Sequence, residues 1–178
     1  MKHNGESVTL YWSEVELGDA KLLVAETERG LCYTGAFGGS FDDMAGEMAS
    51  RLKPAVAEWI RDDERLSRYG KELAEYGTGA NAGFLGRLDL RGTPFQLQVW
   101  RALLDIPHGS TCSYSDIAAA IGKPAAVRAV GSAIGANPVL IRVPCHRVVG
   151  KNGALAGYRG GLEMKRKLLL LEREAAWQ

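Results

Sequence analysis

The chain has 178 residues, room for one domain or two small ones with a sizeable core. Apolar residues make up 46% and charged residues 24%, and no apolar run approaches the ~18–20 residues that span a bilayer. Three cysteines (Cys32, Cys112, Cys145) are too few and odd in number for a disulfide framework. These features exclude membrane-spanning, disulfide-stapled, collagenous and disordered classes. With the polar start from Met1 to Ser7, which no secretory apolar stretch follows, they predict a cytoplasmic protein.

The net charge of +1 hides an asymmetry. Residues 1–91 carry 11 Lys+Arg against 16 Asp+Glu, a net of −5, whereas residues 92–178 carry 11 against 5, a net of +6. A basic half suits a polyanionic partner, although clustering of solvated charge has the same signature.

In chain order, Val8 to Trp12, Lys21 to Glu26 and Leu31 to Ala36 are short β-prone runs. Leu17-Gly18-Asp19 and Arg29-Gly30 punctuate them as turns, which predicts antiparallel hairpins. Phe41 to Tyr76 is charged and helix-permissive, with Leu52, Val56, Trp59 and Ile60 at helical spacing. Gly77 to Gly83 reads as a loop, Phe84 to Leu90 as a returning strand, and Gly92 as a domain boundary that coincides with the charge switch. The expected fold class is therefore α+β in two domains, 1–91 with an antiparallel sheet and helix and 92–178 mostly helical.

The second half begins with a helix start at Thr93-Pro94-Phe95-Gln96: a capping threonine, proline at the first helical position and a glutamine able to close a capping box. Phe95, Val99, Leu103 and Ile106 form its buried stripe. Ser113-Tyr114-Ser115-Asp116 starts a second helix with Tyr114, Ile117, Ala118 and Ile121 on one face and Gly122 as its stop. A third helix runs from after Pro124 to about Ala136, with Val127, Val130 and Ile134 expected as its core stripe. Two short helices joined by a tight glycine turn are a helix-turn-helix signal. The far face of the third helix holds Arg128, Ala129, Ser132, Gly135 and Ala136, nearly bare except for one long cation. A partner surface such as DNA at close approach explains that composition, and so does tight packing on another helix of the same chain.

The chemical centre is Ile141-Arg142-Val143-Pro144-Cys145-His146-Arg147-Val148-Val149-Gly150. A cysteine beside a histidine and between two arginines is expected to have a lowered thiol pKa. His146 used as a base needs an orienting acceptor. The second half offers five acids, Asp105, Asp116, Glu163, Glu172 and Glu174, and spacing does not choose among them.

Pro144-Cys145-His146-Arg147-Val148 resembles the active-site signature of the O6-alkylguanine-DNA alkyltransferases. Thr93-Pro94-Phe95-Gln96 with Val99-Trp100, Tyr114-Ser115-Asp116-Ile117-Ala118, Val127-Arg128-Ala129-Val130-Gly131, Asn137-Pro138, Gly157-Tyr158-Arg159-Gly160-Gly161 and the Lys165 to Glu172 helix extend the resemblance from about Gly92 to Glu174. It implies a ribonuclease-H-like first domain, a winged helix-turn-helix second domain, and irreversible, single-turnover transfer of an alkyl group from O6 of guanine, or O4 of thymine, to Cys145. It implies that His146 takes the thiol proton through a water, that Glu172 polarises His146, and that Asn137 braces the turn. Arg128 would fill the gap left by a flipped base, with Ala126, Ala129, Gly131 and Ser113 against the minor groove of double-stranded DNA. Tyr114, Tyr158, the carbonyls of Cys145 and Val148, and the Arg159 N–H would line the base pocket. No cofactor and no metal are expected, since His3, His108 and Cys32 lack ligand spacing; the protein is expected as a monomer. Arg159 is long where some members are small, so it is expected to narrow the pocket or meet a phosphate. The alternatives are a non-catalytic damage-binding or helix-turn-helix regulatory protein and a multiple-turnover thiol hydrolase or acyltransferase using Cys145 and His146.

Overall fold

The computed structural model describes residues 7–53, 55–78, 84 and 86–175. Three strands, β1 (Ser7–Leu17), β2 (Ala20–Thr27) and β3 (Gly30–Thr34), form the expected antiparallel meander. A fourth strand, β4 (Val56–Arg61), adds to the outer edge of β1 in parallel, so the sheet is mixed, with order β3-β2-β1-β4. This corrects the wholly antiparallel sheet and the helical reading of Val56, Trp59 and Ile60. Pairing with β1 overrides the helical spacing of those three: Ala57 and Trp59 are half-buried, while Val56, Glu58 and Ile60 face out. The expected long helix is split around β4 into α1 (Phe41–Leu52) and α2 (Asp63–Thr78). A full capping box between Ser40 and Asp43 starts α1.

Each helix covers one face of the sheet. Met44, Met48 and Leu52 of α1 pack with Leu10, Leu23, Ala25 and Cys32. Leu66, Tyr69, Leu73 and Tyr76 of α2 pack with Val15, Leu17, Leu22 and Val24. Strand β2 is consequently buried on both sides, Leu22 and Val24 toward α2, Leu23 and Ala25 toward α1. Helix α2 extends through the first two residues of the predicted loop; the rest of that loop lies outside the described residues, as does His3. The predicted strand at 84–90 is a single bridge, Leu31 with Leu88, flanked by hydrogen bonds to Arg87 and Asp89.

The remaining elements are α3 (Pro94–Leu104), β5 (Cys112–Ser113), α4 (Tyr114–Ala120), a 3₁₀ turn (Pro124–Ala126), α5 (Val127–Gly135), a second 3₁₀ turn (Cys145–Arg147), β6 (Val148–Val149) and α6 (Gly161–Ala175). Both predicted capping boxes form, Thr93 with Gln96 and Ser113 with Asp116. Val99, Trp100 and Leu103 are fully buried, and the Trp100 indole N–H donates to Ala133 C=O at 2.8 Å, tying α3 to α5. Val130 and Ile134 are buried as expected, but Val127 is 36% exposed and Ala133 takes its place in the core. At 100° per residue the buried stripe centres between Ala133 and Ile134, which leaves Val127 at its rim. The apolar core is continuous from α2 and the sheet through α3, α4 and α5 to α6. Among the described residues no helix is long and apolar enough to cross a membrane.

Candidate active site

Two γ-turns deliver Cys145. Arg142 N–H donates to Leu140 C=O at 2.7 Å around Ile141, whose φ is +68°. Cys145 N–H donates to Val143 C=O at 2.7 Å around Pro144, at φ −82° and ψ 58°. The second is the common form, whereas the first is strained, and a β-branched residue at positive φ costs on the order of 1–3 kcal/mol. Asn137 holds this backbone in place. Its Nδ2 donates to Val143 C=O (2.9 Å), Val139 C=O (3.3 Å) and Cys145 Sγ (3.0 Å), and its Oδ1 accepts from Val139 N–H (3.0 Å). Asn137 is fully buried, so its amide is committed to the Cys145 segment.

Cys145 is 2% exposed. Burial pushes its thiol up to about 11, against smaller downward effects from the Asn137 hydrogen bond and the charges of Arg159 and Lys165. The lowered pKa expected from flanking arginines is therefore overturned. Arg147 turns away to Glu172, and Arg142 lies over the Phe84 ring at 5.6 Å. Neighbours in sequence point apart, and desolvation of the charged form outweighs what remains. In the free protein, alkylation of Cys145 by iodoacetamide is expected to rise about 10-fold per pH unit from pH 8 to 10, following the thiolate fraction. Peptide mass mapping of quenched samples checks this; a plateau already reached at pH 8 contradicts it.

His146 and Glu172 meet in the interior at 2.7 Å between Nε2 and Oε1, although 26 residues separate them. This selects Glu172 among the five candidate acids. Glu172 is saturated with donors. Arg147 Nε and Nη2 reach it at 2.9 Å each, Tyr76 Oη at 2.5 Å, and Gly109 N–H at 3.0 Å. Burial alone raises the Glu172 carboxyl, but the hydrogen bonds from His146, Arg147 and Tyr76 and the charge nearby hold it well below the usual carboxylate range. His146 is pushed down, by burial first, partly offset by Glu172. A neutral imidazole that donates Nε2–H to Glu172 leaves Nδ1 as a buried acceptor, and no protein group among the described residues hydrogen-bonds that atom.

Of the predicted pocket residues, the Tyr158 ring stands edge-on to His146 with centroids 6.4 Å apart. A Cβ at Gly160 would lie 2.6 Å from the Tyr158 ring and 2.5 Å from Met164 sulfur, so any side chain there would push the ring or Met164 aside. The Val148 and Cys145 carbonyls each already accept one bond, from Lys165 Nζ (2.6 Å) and from Val148 N–H respectively, and each keeps a second lone pair. Strand β6 pairs in parallel with β5, Cys112 opposite Val148 and Ser113 opposite Val149, which brings Tyr114 beside the Cys145 segment. Arg159 corrects the reading of a side chain in the pocket or on a phosphate: its guanidinium pairs with Glu47 of α1 and donates to the carbonyls of Thr34 (2.9 Å) and Pro138 (3.1 Å).

Arg128, Ala129, Ser132 and Gly135 are exposed on α5, and Arg128 has no ion-pair partner among the described residues. A Cβ at Gly135 would meet nothing within 4 Å, and one at Gly131 would meet only the Tyr114 ring, at ordinary contact distance. Among the described residues no helix packs on the bare face, which excludes the helix-on-helix explanation for them. Ala126 and Gly131 are half-buried at its margin, and Ser113 is spent as the cap of α4. Sequence reasoning missed Tyr76, the pairing of Arg147, buried Lys165, and Glu47. For Tyr76 the available signal was the Leu66, Tyr69, Leu73, Tyr76 stripe, which marks burial without naming a partner.

A family model described as the DNA-binding domain of 6-O-methylguanine DNA methyltransferase matches residues 94–174. The inducible methylated-DNA–protein-cysteine methyltransferase of Bacillus subtilis (strain 168) is 49% identical over 168 residues, covering 94% of this chain and 93% of that protein. The crystal structure of Mycobacterium tuberculosis OGT in complex with DNA matches with a TM-score of 0.73 at 39% identity, covering 94% of both chains. That of O6-methylguanine-DNA methyltransferase from the hyperthermophilic archaeon Pyrococcus kodakaraensis KOD1 gives 0.69 at 28% identity, covering 92% of this chain and 98% of that one. Identity near one half extends over almost the whole of both chains, and the chain belongs to the methylated-DNA–protein-cysteine methyltransferase family.

Proposed function

We propose that the protein repairs alkylated DNA by direct reversal, moving a methyl group from O6 of guanine, and from O4 of thymine, to Cys145. One observation carries this reading: a buried thiol held by Asn137 precedes a buried His146–Glu172 pair, in a molecule whose α5 presents a bare face with one cation, Arg128, that has no ion-pair partner among the described residues. In the reaction, Cys145 Sγ bonds to the methyl carbon as the carbon–oxygen bond breaks and its electron pair stays on O6. The thiol proton passes through water to His146 Nδ1 and is then handed to the guanine, so charge balances. Glu172 stabilises the transient imidazolium, and hydrogen bonds from the Tyr114 hydroxyl and the Arg159 backbone N–H stabilise the departing base. The product is a thioether, which water does not readily hydrolyse, so each molecule acts once and needs no cofactor.

A thiol 2% exposed is out of reach of a base stacked in a duplex, so the nucleotide leaves the stack and enters the pocket beside Tyr158. Arg128 takes its place, while Ala129 and Gly135, with Ala126 and Gly131 at the margin, let α5 approach the minor groove. Residues 92–178 act as a winged helix-turn-helix domain whose net +6 supplies sequence-independent phosphate affinity, and residues 1–91 as a ribonuclease-H-like domain. The protein works as a monomer inside the cell, where its DNA substrate is.

Intact-mass spectrometry after mixing with a duplex carrying one O6-methylguanine tests this. The expected gain is about 14 Da, one CH₂ net, mapped to the Cys145 peptide. Tight binding with no mass gain would instead establish a damage-binding or regulatory protein, and several turnovers per molecule a hydrolase.

A further inference from the structure

The turn that carries Asn137 is clamped from the sheet-bearing half of the molecule. Arg51 Nη2 donates to Ala136 C=O at 2.5 Å, one residue before Asn137. Arg159 Nη2 donates to Pro138 C=O at 3.1 Å, one residue after it. One carboxylate joins the two guanidiniums: Glu47 Oε1 pairs with Arg51 at 2.9 Å, and Glu47 Oε2 pairs with Arg159. Strand β3 completes the clamp, because Thr34 N–H donates to Pro138 C=O at 3.0 Å and Thr34 C=O accepts from Leu140 N–H at 3.2 Å.

Between the two clamped carbonyls, the Asn137 side chain reaches Cys145 Sγ at 3.0 Å. Arg159 also lies next to Tyr158, the ring that faces His146. Glu47, Arg51 and Arg159 side chains are all at least three-quarters buried, so these pairs are weakly screened and geometrically fixed. Two arginines so close repel each other unless an anion lies between them, and Glu47 bonds to both.

We propose that Glu47, on α1, is a positioning residue for alkyl transfer: through Arg51 and Arg159 it fixes the Ala136–Pro138 turn and hence the Asn137 amide against the Cys145 sulfur. The sheet-bearing half of the chain thereby takes part in the chemistry. This rests on Cys145 being the methyl acceptor.

Glu47→Gln keeps the side-chain shape and removes the charge. Single-turnover methyl uptake from the O6-methylguanine duplex, followed by intact mass against protein concentration, separates maximal rate from half-saturation. The maximal rate constant is expected to fall about 10-fold, less than the ~100-fold that an ångström of misplacement costs, with half-saturation moving under about twofold. In an Asn137→Ala background the same substitution is expected to change the maximal rate by less than about twofold, because no amide remains to be positioned. A wild-type maximal rate in Glu47→Gln overturns the proposal, as does a loss that persists undiminished in Asn137→Ala. If Glu47→Gln does not fold, Arg159→Lys, which keeps the charge and loses the fork spanning two carbonyls, is read by the same two criteria. Methyl uptake by a Cys145→Ala protein strikes at the underlying reading instead, so the two failures are distinguishable.

Discussion

Glu172→Ala is expected to destabilise the protein by about 3–5 kcal/mol, the cost of removing one partner from a buried charged pair. Glu172 is 1% exposed and accepts from His146, Arg147, Tyr76 and Gly109, so its loss strands a buried guanidinium and a buried imidazole together. Urea unfolding read by tryptophan fluorescence measures this, and a loss under about 1 kcal/mol, the ordinary effect of a surface change, contradicts it. The pH dependence follows from the direction of the shift. The folded carboxyl lies below its unfolded value, so its stabilisation is fully present above about pH 4.3 and lost as the pH falls through the folded value. Glu172→Gln has no such stabilisation to lose, so the stability gap between it and the wild type should narrow from pH 5 toward pH 2, as judged by about the same linkage. A gap independent of pH over that range would mean that the Glu172 carboxyl has the same pKa folded and unfolded, and a gap that widens toward pH 2 would mean that it is neutral in the folded protein.

Cys145→Ala is expected to abolish methyl uptake while leaving duplex binding and stability near wild type. The side chain is small and buried, and Asn137 Nδ2 keeps its carbonyl acceptors at Val143 and Val139 when the sulfur is gone. Neither remaining cysteine can substitute. Cys32 is buried in the sheet with its S–H on Ala25 C=O and its thiol pushed far up by burial, and Cys112, in β5, lacks the amide and cationic neighbours of Cys145 among the described residues: burial and the Asp116 charge both raise its thiol. Intact mass over hours, with binding followed by fluorescence anisotropy, checks both halves of the expectation. A residual gain of methyl mass would place the acceptor elsewhere.

Local signals carried much of this molecule. The capping residues Thr93 with Gln96 and Ser113 with Asp116 marked helix starts that α3 and α4 adopt, because each box closes within three residues. The Cys145-His146 dipeptide and the motifs around it marked the chemistry, and the composition of α5 marked a bare face, which the structure leaves unpacked among the described residues. The signal failed at β4, where Val56, Trp59 and Ile60 have helical spacing and pairing with the parallel partner β1, far back in the chain, overrides it. It failed again wherever a role depends on a distant group. Tyr76 lies 96 residues from Glu172, and Arg159 lies 112 from Glu47, so nothing in their neighbourhoods announces the partner. The thiol of Cys145 shows the same limit in electrostatics. Two adjacent arginines suggested a lowered pKa, but burial and the turning away of both side chains set it, and only the packed chain determines either. What the sequence determined by itself was the set of helices begun by short-range caps, the reactive dipeptide and the bare helix face. What the tertiary structure decided was which acid meets His146, where Arg159 points and how acidic the thiol is, because those depend on desolvation and on contacts that form only when the sheet, α2 and α6 close around one interior.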